Sequence, residues 1–382
     1  MEKEAHIHYR GVSSIMKLWY EDNKISRAPS HETCILWDLK IGLYKLQRAK
    51  ANDTAWCWMV DHVIGEGYMK CLAVIGVPLK TLQDKTDLTL SLQQLEPFGL
   101  VPMNSSSGEK VKQALSKISY ETGITPQAIV SDHGSDLLFG VKEYCKSTNG
   151  QTVEIYDVCH KVALELKKLL INDSAWGAFS VKAAETKRQL YSTQGVDFAP
   201  PNQRRKGRYM NVDILVGWAN RILAKKEQIP GNVLEKLAWV WDEQDRIALW
   251  SQWVEIAKQS RNQIRQNGFF VGASDVLEAR LNYMQLQESS KLLLDRILAY
   301  VSLESNKLGN NCRMVGSTEP LESLFGCFKR VKNGVWDRQG GVGRLILSMA
   351  SRVGEISEEL IKKALEYVTV NGVDEWFKTC LV

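Results

Sequence analysis

Trp56-Cys57-Trp58-Met59-Val60-Asp61-His62-Val63-Ile64 is an apolar run with a single carboxylate inside it. Nine residues rich in aromatic and β-branched side chains read as a buried strand. A carboxylate in such a strand is costly unless it is paired or bound to a cation. Asp61 has no capping role to explain it, because it stands in mid-strand. A second run, Ala128-Ile129-Val130-Ser131, ends on Asp132 and continues His133-Gly134-Ser135-Asp136. The chain is expected to turn sharply there into a helix. Asp132 also fits a helix N-cap, and Asp136 fits a first-turn position favoured by the helix dipole.

A third acid lies far downstream in the helix-like Ser317-Thr318-Glu319-Pro320-Leu321-Glu322-Ser323-Leu324-Phe325-Gly326. Glu319 precedes a proline and fits a capping or first-turn position. Glu322 lies one turn inside, with Phe325 and Lys329 three and seven positions on, roughly on one face. On that ground Glu322 is preferred to Glu319. Carboxylates gathered from distant parts of a chain are how hard divalent cations are held. Two such cations can clamp the attacking and leaving oxygens of a phosphodiester.

Working outward from the first run, Gly65-Glu66-Gly67 reads as a tight turn and Tyr68 to Val77 as the hairpin partner. An edge-like strand is expected within Leu88 to Met103. Helical spacing follows from Gly108 to Thr122, a short buried strand at Gln127 to Ser131, and a helix from Ser135 to Cys145. A fifth strand, Val153-Glu154-Ile155-Tyr156-Asp157, enters a helix from His160 to Leu170. The order β-β-β-α-β-α-β-α is that of a ribonuclease H-like fold, an α/β class with a five-stranded mixed sheet and helices on both faces. In it the first, fourth and fifth strands lie side by side, and residues at their carboxyl ends converge. His160 opens a helix beside that crevice, next to Asp157, so both are supporting candidates.

The remainder reads as helical, with segments Trp176 to Tyr191, Val212 to Lys226, Val233 to Ser260, Asp275 to Lys307, Pro320 to Val331 and Val342 to Val370. Before the first strand, Tyr9 to Asn23 and His31 to Gln47 read as two helices across a break at Ser26-Arg27-Ala28-Pro29, with Ser30 as N-cap. Gly42 in the second is unfavourable by about 1 kcal/mol relative to Ala. With Arg27, Lys40, Lys45, Arg48 and Lys50 nearby, the pair is readable as a helix-turn-helix or as a plain hairpin packed on the next domain. The domain reading is 1–52 for this module, 53–170 with 312–382 for the catalytic domain, and 171–311 for a helical insertion.

The chain of 382 residues carries a formal net charge of +5. From Lys161 to Glu227 there are thirteen Lys/Arg against six Asp/Glu, densest at Gln203-Arg204-Arg205-Lys206-Gly207-Arg208. Such a stripe fits a polyanion or a solvated loop. No apolar run approaches the roughly 20 residues of a membrane span, and the charged N-terminus does not read as a signal peptide. The eight cysteines stand singly with no CxxC pair, which fits reduced thiols in a cytosolic protein.

With these residues in view, the chain resembles a DDE transposase of the prokaryotic insertion-sequence type. The likeness is carried by Trp58 to His62, Ile129 to Asp136, Tyr156 to Lys161, Pro200 to Arg204 and Ser317 to Gly326. By that likeness Asp61, Asp132 and Glu322 are the D, D and E, and Glu322 to Lys329 matches a common spacing. Val315 and Thr318 stand where one large group of these enzymes has Tyr and Arg. Asp157-Val158-Cys159-His160 resembles the C/D-x-x-H element of hAT-like members, whose long helical insertion before the last Glu is also matched. That insertion would hold Trp176, Trp218, Trp239, Trp241, Trp250 and Trp253, most of them core residues.

The resemblance implies two Mg2+ ions, with Mn2+ able to substitute, held by Asp61, Asp132 and Glu322. One ion would activate water or a DNA 3'-hydroxyl and the other would stabilise the leaving 3'-oxygen. It implies double-stranded DNA as partner, both transposon ends and target, held through Arg204, Arg205, Lys206, Arg208 and Lys329. It further implies a homodimer or higher oligomer on DNA, no membrane, and a cytoplasmic, nucleoid-associated protein. Three readings compete with an active transposase: a transposase-derived DNA-binding protein without catalysis, a ribonuclease H-like nuclease that cuts without rejoining, and a helical scaffold with incidental acids. The DNA-binding-protein reading includes the expectation of a missing end-binding domain ahead of the helical module.

Overall fold

The computed structural model describes residues 9–23, 27–64, 70–83, 85–191, 193–202, 212–309, 312–332 and 341–380. Side chains at 64, 327–332, 341–345 and 379–380 are outside that description. The chain divides into two compact units, Met1–Asp157 with Met314–Val382, and Val158–Arg313.

The first unit opens with α1 (Tyr9–Asp22) and α2 (His31–Gln47) and continues through β1 (Trp56–Ile64), β2 (Lys70–Pro78) and the short α3 (Lys80–Gln83). After these come β3 (Glu96–Met103), α4 (Gly108–Thr122), β4 (Ala128–Ser131), α5 (Ser135–Ser147) and β5 (Val153–Tyr156). The strands form one mixed sheet in the order β3-β2-β1-β4-β5. β1 pairs antiparallel with β2 and parallel with β4, β2 pairs antiparallel with β3, and β4 pairs parallel with β5. β1, β2 and β4 hold the buried apolar runs because they are central. β3 tolerates Pro97 and Pro102 because it is an edge.

Alternation sends Trp56, Trp58 and Val60 of β1 to one face, where they pack with Val111 and Leu115 of α4 and Leu137, Val141 and Tyr144 of α5. Met59 and Asp61 alternate to the opposite side. The chain returns to this unit as α14 (Glu319–Lys332), α15 (Gly341–Arg352), α16 (Glu358–Tyr367) and α17 (Val370–Cys380). α14 packs against β1, and α15 against β3.

The second unit supplies the intervening elements. These are α6 (Val158–Asn172), α7 (Ser174–Leu190), α8 (Val212–Ala224), α9 (Gly231–Leu237), α10 (Trp239–Asp242), α11 (Gln244–Asn267), α12 (Ala273–Leu281) and α13 (Glu288–Asn306). Among the described residues every element there is a helix. Its centre is aromatic: Phe179 meets Trp239 and Trp250 edge-on, and Trp218 lies tilted against Trp239. Trp218, Trp239, Trp250 and Trp253 are buried, as core residues should be, whereas Trp176 and Trp241 are half-buried.

Several helical expectations break where the sequence shows no strong signal. Val233 to Ser260 is three helices, not one. Asp275 to Lys307 parts between Leu281 and Glu288. There the freed backbone is met by Gln252, whose amide donates to Gln285 O at 3.1 Å and accepts from Gln287 N at 3.1 Å. Val342 to Val370 holds two helices, α15 and α16, and Val370 opens α17. Gly354, with φ of +80°, turns the chain after α15 and donates its N–H to Leu92 O at 2.8 Å.

α2 is walled in. Leu39 and Leu43 pack with Leu347, Val368 and Val373, and Ile41 packs with Leu360 and Ala364. Gly42 is there for close approach, since a Cβ would lie 2.1 Å from Leu347 O of α15. Two of the cations read as flanking a helix-turn-helix point inward. Lys45 is fully buried and donates to Ser351 O at 3.3 Å, Val353 O at 2.6 Å and Gly354 O at 3.0 Å, closing the carbonyl end of α15. Lys50 is buried against Glu96. α2 therefore packs Leu39, Leu43, Ile41 and Lys45 against the C-terminal helices of this unit.

Candidate active site at the strand ends

Val60 pairs with Ser131, and Ser131 with Tyr156, so these three residues form one row across the parallel strands. Asp61, Asp132 and Asp157 are each the next residue along. Three carboxylates thus stand at one level of the sheet: Asp132 and Asp157 directly follow β4 and β5, and Asp61 lies within β1, which runs on to Ile64.

Each is held differently. Asp61 is half-buried, and its Oδ1 accepts the His62 N–H at 2.6 Å. Asp132 sits just past β4, and its Oδ1 accepts the Gly134 N–H at 2.8 Å, so it caps the turn and Gly134 takes the N-cap place of α5. His133 between them has φ of +60°, an uncommon conformation for a side chain of its size. It is held there from β5: its ring stacks on Tyr156 at 3.8 Å with a 10° interplanar angle, and Nε2 pairs with Glu154. Asp157 is fully buried and spends one oxygen on Thr318, accepting its N–H at 2.6 Å and its hydroxyl at 3.1 Å. A buried carboxylate satisfied in this way fixes the residue from which α14 starts.

Glu319 and Glu322 occupy the first turn of α14, where the dipole favours acids. Glu319 is half-buried and its N–H donates to Ser317 Oγ at 3.2 Å; Glu322 is exposed. Leu321, Leu324 and Phe325 form the buried face, so Phe325 and Glu322 part company rather than sharing one surface. The Lys329 side chain and Arg204, Arg205, Lys206 and Arg208 lie outside the described residues. His160 is half-buried in the first turn of α6, within the other compact unit.

Asp61 thus lies in β1 and Asp132 directly follows β4, the parallel neighbour of β1, with α14 packed against β1. Among the described residues, however, no three His, Cys, Asp or Glu side chains are grouped to hold a metal ion. The arrangement does not fit a preformed three-carboxylate metal site.

A polar network not foreseen from the sequence lies beside the acids. His62 Nε2 is 3.1 Å from Ser106 Oγ, and its Nδ1 is 3.8 Å from Asp136 Oδ2. Lys70 Nζ is 3.4 Å from the same Asp136 oxygen. Burial lowers the His62 pKa, and the nearby Lys70 lowers it further against the pull of Asp136. For Asp136 burial acts upward, but Ser106, His62 and Lys70 together leave its carboxyl below the usual range. Asp136 therefore does more than decorate a helix start: it ties α5 to β1 and β2. Only its pairing with partners 66 and 74 residues away was beyond local pattern.

A cleft of about 580 Å³ lies elsewhere in this unit, lined by Arg48, Lys50, Trp56, Glu96, Glu355 and Lys363 among others, and none of the candidate acids reaches it. No protein-family profile matches the chain, and no curated protein matches it significantly. No helix among the described residues is long and apolar enough to cross a membrane.

Proposed function

We propose that the chain is a DDE-type DNA transposase with a ribonuclease H-like catalytic unit, acting on phosphodiesters at the ends of a mobile element. The observation that carries the reading is the row of three: Asp61, Asp132 and Asp157 follow one register line of the parallel strands in a sheet ordered β3-β2-β1-β4-β5. Asp157 then anchors Thr318, directly ahead of both candidate third acids.

In this reading the carboxylates of Asp61 and Asp132 face the reacting phosphodiester; one of them accepts the proton of an attacking water or DNA 3'-hydroxyl as its oxygen bonds to phosphorus, and the P–O3' bond breaks to release the 3'-oxygen. Glu322 joins them from α14, and Lys329 with Arg204, Arg205, Lys206 and Arg208 holds phosphates. Mg2+, or Mn2+ in its place, is the ion the resemblance implies. The described acids do not form a closed ligand group for it. The partner is duplex DNA, bound by a dimer or larger assembly.

A transposase-derived DNA-binding protein without catalysis is the second reading, favoured because the acids among the described residues do not gather into a three-acid group. Strand cleavage separates the two. Glu322→Ala is expected to reduce cleavage at least about 100-fold while leaving DNA affinity within a few-fold of wild type. If Glu319→Ala does this instead, the third acid is Glu319. If neither variant nor wild type cleaves, the binding-protein reading replaces the enzyme.

A further inference from the structure

The helical unit, Val158–Arg313, carries twenty-three Lys/Arg against sixteen Asp/Glu, a formal +7. An excess of that size on one unit draws polyanions. Part of it converges on one place. Lys161, Glu165 and Lys168 stand at i, i+4 and i+7 on one face of α6. Glu165 is buried, and its Oε1 accepts from Lys161 Nζ at 2.7 Å and Lys168 Nζ at 2.8 Å. From α13, Arg296 Nη1 reaches to 3.9 Å of Oε2. Lys161 also lies 5.9 Å from the Tyr300 ring centre.

One carboxylate balances one of the three cations, so a formal +2 remains. The excess is presented outward, since Lys168 is 49% and Arg296 43% exposed at the side chain. The buried carboxylate also fixes where these long side chains end, which lowers the ordering cost of binding. Because both contact one carboxylate, their heads are close enough to serve neighbouring phosphates.

We propose that Lys168 and Arg296, organised by Glu165, form a phosphate-binding contact for double-stranded DNA on the α6–α13 face. The choice of DNA rests on the transposase reading. An acidic protein segment is the rival occupant, because Leu164 and Ile171 are exposed on the same helix.

The test uses the full chain and a labelled duplex, with affinity measured by anisotropy from about 50 to 200 mM salt. The double variant Lys168→Gln with Arg296→Gln keeps Lys161 on Glu165, so the buried carboxylate stays paired. Its affinity is expected to fall about tenfold at the lower salt, and its slope of log K against log salt to flatten by about 2. Melting temperature should be unchanged, and Lys168→Arg with Arg296→Lys should restore the slope. Unchanged affinity and slope in the double variant overturn the proposal. So does wild type that binds no duplex, or a loss confined to polyglutamate, which would assign the face to an acidic protein. The two failures are distinguishable. An unchanged slope beside Asp61-dependent cleavage sinks only this contact. A flattened slope beside cleavage that ignores Asp61→Asn sinks only the enzyme reading.

Discussion

The two units divide charge and architecture between them. The sheet-containing unit has twenty-six Lys/Arg against twenty-eight Asp/Glu, a formal −2, and it buries ionisable groups such as Lys45, Lys50 and Asp157. The helical unit is +7 and centres on Trp218, Trp239 and Trp250. A unit that gathers carboxylates at its strand ends repels a polyanion, so the attraction has to come from elsewhere in the chain. On the function proposed above, the difference is a division of labour, with acids for chemistry in one unit and cations for holding DNA in the other.

The comparison can be sharpened by perturbing the sheet-containing unit where its packing is least forgiving. Gly42→Ala places a methyl where Leu347 O already stands, and overpacking at that crossing should cost about 3 kcal/mol in a denaturant titration. If stability is unchanged, α2 and α15 do not cross as closely as described. Asp157→Ala leaves the Thr318 N–H and hydroxyl without their acceptor and should cost about 2 kcal/mol. It should also lower cleavage by loosening α14, while the salt slope of DNA binding stays as in wild type. A changed slope would mean that the two roles are not divided.

A pH-dependent effect concerns Lys50. Burial pushes its ammonium down to about 8 from the ordinary 10.5, with Glu96 opposing and Arg48 adding to the shift. Between those values the unfolded chain holds the proton and the folded chain does not. Stability from this group therefore rises with pH across that window, and below it the buried charge is a cost. Lys50→Met should stabilise the protein at neutral pH by at most about 3 kcal/mol and lose that advantage as pH climbs. A pH-independent difference between variant and wild type would remove this account of Lys50.

Much of the sheet was legible because its strands are continuous apolar runs bounded by turns: β1 begins and ends where the pattern places it, and β4 and β5 fall within a residue. Asp61 and Asp132 stand out in the sequence for the same reason, as polar residues where the pattern calls for apolar ones or a turn. What stayed hidden depends on long-range partners. Asp157 was readable as a neighbour of the crevice, but its hold on Thr318 spans 161 residues and leaves no local trace. In the sequence Lys45 is one of several cations beside a possible helix-turn-helix, whereas its partners at the end of α15 lie 306 to 309 residues away. The left-handed turn at His133 is likewise set by β5, through Tyr156 and Glu154, and not by its own neighbours.

The most direct test of the central claim is strand cleavage of supercoiled plasmid, measured with DNA affinity for wild type, Asp61→Asn and Asp132→Asn. The isosteric amides keep the shape of both strand ends and remove the charge. The account predicts that wild type nicks DNA in the presence of Mg2+ or Mn2+. Each variant should lose at least about 100-fold of that activity while binding DNA at least as well as wild type. Cleavage that survives both substitutions, or affinity that collapses with them, would contradict it.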